Sequence, residues 1–153
     1  MTPKQFAKWL ESLQPEVADK MSRIMVEGGN KIQKEAMNTV AKNSHNTGNL
    51  LNHIDSTANI TGKIATEVII GTSVPYAPYV EYGSGPHKSS KGSAEFKDDI
   101  KRWCELHGIK NWYAVYKKIV KNGIKEKPFL IPAFNKIAPK VQRALEKVLK
   151  EIK

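Results

Sequence analysis

"IDSTANITGKIATEVIIGT", residues 54–72, is where the periodicity of the chain changes. On either side apolar residues recur at steps of three and four. Here β-branched residues gather around a Thr-Gly-Lys turn at 61–63, which predicts a hairpin with strands over about 54–60 and 64–71. The second strand holds Ile64, Val68, Ile69 and Ile70, so it is expected to be the more buried, with Gly71 at its end. A hairpin set among helices makes this an α+β chain: a long N-terminal helix and a C-terminal helix packed on a small antiparallel sheet, with a helical insertion.

Upstream, "TPKQ" at 2–5 predicts a helix start, with Thr2 as cap, Pro3 in the first turn and Gln5 closing a capping box. Phe6, Leu10 and Leu13 follow at helical spacing, with Trp9 on a neighbouring face. Pro15 opens a longer helix to about Lys42, whose apolar positions are Val17, Met21, Ile24, Met25, Gly28, Ile32, Ala36 and Val40. Gly28-Gly29 in its middle costs about 1 kcal/mol per residue against alanine. It marks a kink or a close approach of another backbone, and close packing is the preferred reading. "NSHNTGNLLNHI", 43–54, is rich in turn formers and reads as a connector.

Downstream, helical periodicity returns at Ser93 with Phe96, Ile100, Trp103-Cys104 and Leu106-His107, ending at Gly108. A short helix follows with Trp112, Val115, Tyr116 and Ile119 inward, stopped at Asn122-Gly123. The last helix carries Phe134, Ile137, Val141, Leu145, Val148/Leu149 and Ile152 on one stripe. Pro139 either kinks it or begins it.

The length, 153 residues, suits one domain. No apolar run of about 18 residues is present to span a membrane, and "MTPKQFAKWLESLQPEVADK" does not read as a signal peptide. A lone cysteine, Cys104, points to a reducing compartment. Lys and Arg number 25 against 15 Asp and Glu, a net charge of +10. Residues 121–153 hold nine Lys or Arg and three Glu, so most of the excess lies there. That charge is either a solvated helix face with lysine stems over apolar surface or a contact surface for nucleic acid or an acidic partner.

No catalytic constellation is assembled. His45, His53, His87 and His107 pair with neither Cys104 nor a carboxylate at metal-ligand spacing, so no metal or cofactor is expected. Cys104 and His107, three apart on a helix, read as a buried thiol near a partly exposed imidazole. "GSG" at 83–85 lacks the helix start of a phosphate loop. Asp98 and Asp99 point about 100° apart on a helix; a nuclease using them with Glu105 is the weakest of the readings weighed.

"VPYAPYVEYGSGPHK", 74–88, is too apolar for a solvent loop and too Pro-rich for a central strand. Tyr76, Tyr79 and Tyr82 at spacing three, near Lys88 and Lys91, would either stack on bases or line one side of a helical turn against the sheet. With "TGNLLNHI" before the hairpin and "KPFLIPAF" opening the last helix, the order of elements resembles the head–tail joining, or tail-completion, proteins of long-tailed bacteriophages and prophages. The middle signature falls on Tyr76, Ala77, Tyr79, Val80, Glu81, Tyr82, Gly83, Ser84 and Gly85. The late one falls on Pro128, Phe129, Leu130, Pro132 and Ala133, and the connector on Thr47, Gly48, Leu50 and Ile54. The resemblance spans about 15–150.

What it implies is a non-enzymatic role at the virion neck: a ring subunit around the DNA passage, assembled in the host cytoplasm. Its partners would be copies of itself, a head-completion or connector protein, and the tail tube or tail terminator, with genomic DNA in the lumen and no membrane. The expected interface residues are Tyr76, Tyr79, Glu81, Tyr82, Gly83, Gly85, His87, Phe129 and Leu130. Tyr76 and Phe129 are also expected to serve the core. The chain is expected to act as one neck-type domain, 1–153, with a mobile loop at 86–93 and a helical insertion at 94–123. Lys88, Lys91, Lys140, Arg143 and Lys147 are expected to meet DNA or an acidic partner. Because DNA must move through a lumen, an acidic protein is preferred for much of the C-terminal charge. The alternative is a small basic nucleic-acid-binding protein using that helix and the tyrosines.

Overall fold

A computed structural model describes residues 15–43, 48–61, 64–83 and 94–151 (backbone alone at 94–96), together with Thr2, Lys4, Gln5, Lys8, Trp9 and Ser12. In chain order the elements are α1 (Pro15–Asn43), α2 (Gly48–Asn52), β1 (Ile54–Thr61), β2 (Ile64–Thr72), α3 (Ala77–Tyr82), α4 (Ala94–Leu106), α5 (Trp112–Asn122) and α6 (Leu130–Lys150). The described residues are mostly helical with one two-stranded antiparallel sheet, the expected α+β class. It divides into two compact units, one of residues 1–72 and 129–153, the other of residues 73–128.

The first unit is built on α1, against which both the sheet and α6 pack. The capping box forms ahead of it: the Thr2 N–H donates to Gln5 Oε1 at 2.8 Å, and the Gln5 N–H to Thr2 Oγ1 at 3.3 Å. Trp9 packs against Ala18, Met21, Ile64 and Val148. Pro3, Phe6, Leu10 and Leu13 lie outside the described residues. The buried face of α1 is Ala18, Met21, Gly28, Gly29, Ile32, Ala36 and Val40. The helix runs unbroken through Gly28-Gly29. A Cβ on Gly28 would overlap Val141 of α6, and one on Gly29 would overlap Val68 of β2 and lie 2.8 Å from Ser56 Oγ. Close packing explains the pair: bare backbone on two adjacent residues admits a helix on one side and a sheet on the other.

Two ion pairs fix the direction of α6 on α1. Lys20 meets Glu151 at 2.8 Å and Glu35 meets Lys136 at 2.6 Å. The pairs lie 15 residues apart on each helix, so the two helices run antiparallel and in step over about 22 Å.

The hairpin also hangs on α1. Gln33 Nε2 donates to the Ile54 carbonyl at 2.7 Å, and the Ala65 N–H donates to Ser22 Oγ at 2.8 Å. Pairing runs from Ile54↔Thr72 to Thr61↔Ile64, with a bulge where Asn59 faces Glu67 and Ile60 faces Ala65. The bulge shifts the alternation of side chains, so the adjacent Ile64 and Ala65 are both buried. Gly62 and Lys63 of the turn lie outside the described residues. β2 is the more buried strand, as expected. Ile69 corrects the detail: it sits on the outer face, 52 % exposed, opposite Thr57. The strand also continues one residue past Gly71.

Two further corrections concern helices. The 43–54 connector contains α2, whose Leu50 is fully buried; the turn formers around it hid a single apolar anchor. Pro139 does not begin the last helix, which starts at Leu130 and continues through it. On that helix Ala133 and Val148 are buried, while Phe134 is 52 % exposed rather than inside the core. Ile152 lies outside the described residues.

The second unit packs α4 and α5 around Ile100 and the fully buried Cys104. Tyr79, Trp103, Ile109, Trp112, Val115, Tyr116 and Ile119 surround them. The four predicted inward residues of α5 are all among them. Asn111 caps α5 by accepting from the Ala114 N–H at 3.1 Å, and the Gly123 N–H closes it on the Ile119 carbonyl at 2.7 Å. Leu106, the last residue of α4, is 71 % exposed, and the chain then turns through Gly108 at positive φ. The sequence-derived insertion, 94–123, lies wholly inside this unit.

Candidate interaction surfaces

Three surfaces are candidates for interaction. The first is the tyrosine segment of the second unit. Pro75 and Pro78 bring the chain off Thr72 into α3. Tyr76 is half-buried, and its buried hydroxyl has no hydrogen-bond partner among the described residues. Tyr79 packs on Ile100 and Cys104 of its own unit. Glu81 is buried and Tyr82 is 56 % exposed. Gly83 takes φ 71 and ψ 176, a region open essentially to glycine alone. Its Cβ position lies 2.6 Å from the Ile124 carbonyl oxygen. Beside it the Lys127 N–H donates to the Val80 carbonyl at 2.7 Å. Of the expected interface residues, Phe129 is buried, Leu130 is half-buried at the start of α6, and Tyr82 is the one exposed among those described. Gly85, His87, Lys88 and Lys91, with the 86–93 loop, lie outside the described residues.

The second surface is an apolar groove of about 350 Å³ in the first unit. Its floor is Met25, Gly28, Gly29 and Ile32 of α1. One wall is Val68 and Ile70 of β2. The other is Phe134, Ala138, Val141 and Leu145 of α6. On α6 the half-exposed Ile131 and the marginally exposed Leu149 extend the Phe134 edge by helical spacing. Ile131, Phe134, Ile137, Ala138, Val141, Leu145, Val148 and Leu149 fall within an arc of about 120°, an ordinary amphipathic stripe, so the sequence alone carried no signal of an open groove.

The third surface is basic. Lys136, Lys140, Arg143 and Lys147 recur at steps of four, three and four on α6, and all are exposed. Glu35 lies among Lys136, Lys140 and Lys42 of α1; its hydrogen bond to Lys136, then the neighbouring charges, hold its carboxyl below the usual carboxylate range. Glu151 is lowered in the same way, first by its hydrogen bond to Lys20.

Burial pushes the Cys104 thiol above its ordinary pKa. His107 is exposed and stacks on Trp103 at 4.3 Å. Among the described residues no group of three or more His, Cys, Asp or Glu is placed to hold a metal ion, and no helix is long and apolar enough to cross a membrane.

A family model described as "Bacteriophage HK97-gp10, putative tail-component" matches residues 4–83, from the first described helical residues through α3. No curated protein matches the chain and no solved structure matches it.

Proposed function

The chain belongs to this HK97-gp10-like family of bacteriophage tail components, and on that premise we propose that it is a non-enzymatic structural protein of the virion neck. In this reading it acts in head–tail joining or tail completion as a subunit of a ring around the DNA passage, assembled in the bacterial cytoplasm. Its partners are further copies of itself, a head-completion or connector protein, and the tail tube or its terminator.

The single observation that carries the reading is the family match, which covers α1, the hairpin and the tyrosine segment together. Two features support an assembly role. An apolar groove is left open beside the α1–α6 core, with Phe134 half-exposed at its edge. Exposed aromatic and aliphatic side chains of this kind are what a surface buried on assembly presents. Tyr82 offers a second such contact on the other unit, while Tyr79 packs into the core of that unit.

Immunogold labelling of intact phage with antibody to this chain tests the reading. Label confined to the junction of head and tail supports it. Label along the tail fibres or baseplate, or none on purified virions that lack no other component, overturns the neck assignment.

A further inference from the structure

We propose that the basic row of α6, Lys136, Lys140, Arg143 and Lys147, joined by Lys42 of α1, is a duplex-DNA contact that holds the phosphate backbone without reading bases. The steps of four, three and four place the four α6 residues within an arc of about 60° and over about 16 Å of helix. A duplex presents about ten phosphate charges over that length, so every cation of the row has a phosphate within reach.

The row is under-compensated. Lys136 pairs with Glu35 at 2.6 Å, and Lys42 and Lys140 lie near enough to lower the same carboxyl. On the helix itself, Glu146 accepts a hydrogen bond from the neutral Gln142 at 2.9 Å, and Glu151 pairs with Lys20 while also lying near Lys147. Among the described residues, Lys42, Lys140, Arg143 and Lys147 have no carboxylate within ion-pair distance.

The choice of partner follows from what the row lacks. The exposed large hydrophobics of α6 are Ile131, Phe134 and Leu149; Phe134 lines the groove, and the other two lie within about 60° of it by helical spacing. By helical geometry Phe134 and Leu149 lie at least 100° from the row. Protein interfaces are built around desolvated apolar anchors and are depleted in lysine, whereas phosphate contacts need only charge. Single strands are gripped by aromatic platforms beside the cations, and this face carries none. A basic edge without large apolar or aromatic residues therefore fits duplex phosphates better than an acidic protein, reversing the preference drawn from sequence. Backbone contacts of this kind let DNA slide, so they are compatible with a passage.

The affinity rests on charge and geometry alone; only the identity of that DNA as the genome rests on the neck reading. The test is fluorescence anisotropy of the purified full chain with a labelled random-sequence 30-base-pair duplex across a salt series. Binding in the micromolar range, with a log–log salt slope of about −3 to −4, is expected. The triple variant Lys140→Glu/Arg143→Glu/Lys147→Glu should lose at least tenfold. The milder Lys140→Gln/Arg143→Gln/Lys147→Gln should flatten the slope by about three. Both should keep the wild-type circular dichroism spectrum, because the replaced side chains are exposed.

Lys117→Glu/Lys118→Glu/Lys121→Glu on α5, with the same change in net charge, should lose much less. Equal losses from the two glutamate triples would reduce the row to bulk charge and overturn the proposal. So would tighter binding to the single strand, or binding to polyglutamate but not to duplex. Duplex binding by a chain dispensable for joining heads to tails would sink the neck reading and leave the row standing.

Discussion

Val141 of α6 lies directly over Gly28 of α1, close to the midpoint between the Lys20–Glu151 and Glu35–Lys136 pairs. One residue on, Gly29 meets Val68 of β2 and Ser56 of β1. The two glycines are thus where helix, sheet and helix converge, and the groove opens above them. Exposed ion pairs contribute roughly 0–1 kcal/mol each, so they set direction and register, while the glycine contact sets depth.

Gly28→Ala therefore tests the core of the first unit. Helix propensity alone favours alanine by about 1 kcal/mol. Overlap with a β-branched valine that cannot swing aside costs about 1–3 kcal/mol. Net destabilisation of up to about 2 kcal/mol is expected by urea denaturation. Val141→Ala in the Gly28→Ala background should recover part of it, a coupling that independent sites would not show. A stabilised Gly28→Ala protein would mean that α6 is not seated on this glycine.

Gly83→Ala should be costlier than helix propensity suggests. The backbone sits at φ 71, and the new methyl group would meet the 124–126 backbone. Strained conformations of this kind cost about 1–3 kcal/mol. The loss should appear as a lowered urea midpoint and increased hydrogen exchange across α3. An unchanged midpoint would contradict the assigned conformation.

Phe134→Ala separates folding from assembly. Its side chain is half-exposed on the groove edge, so truncation should change monomer stability by less than about 1 kcal/mol. Complementation of a phage lacking the wild-type gene should nevertheless fail, or fall by tenfold or more in titre. Full complementation would remove the groove from the assembly surface.

The acid limb of the stability curve follows from Glu35 and Glu151. Both carboxyls are held below their ordinary values by lysine partners. A depressed carboxyl contributes stability that is present above its unfolded pKa, about 4.3–4.5, and lost as pH falls through its lower folded value. Urea midpoints should therefore hold from pH 7 to about 5 and decline below. In the Glu35→Gln/Glu151→Gln protein the decline should be shallower. An equally steep decline would place the acid sensitivity on other carboxyls.

Cys104 is fully buried with its thiol pKa raised by burial. Thiol reagents should label it slowly in the native protein and at the free-cysteine rate in urea, since the thiolate is the reactive form. Rapid native labelling would show that the α4–α5 core opens readily.

The sequence revealed what periodicity encodes and missed what depends on neighbours. Twenty-nine residues with apolar steps of three and four made α1 legible nearly to the residue. The change to β-branched residues did the same for the hairpin. Leu50 was hidden because one apolar residue among turn formers has no period to follow. Phe134 and Ile69 were misplaced because a pattern shows which residues share a face, not how far the opposing element reaches across it. The groove arises from that shortfall. The 4-3-4 spacing of the basic row was readable, but the gathering of Lys42, Lys136 and Lys140 around Glu35 required the antiparallel seating of α6 on α1.

The most direct measurement for the neck role is deletion of the gene from its phage, followed by induction and negative-stain electron microscopy of the lysate. DNA-filled heads beside separate tails of normal length are the predicted result, and separate tails of uncontrolled length would move the protein to the terminator position within the same neck. Normal, infectious, joined particles would contradict the account.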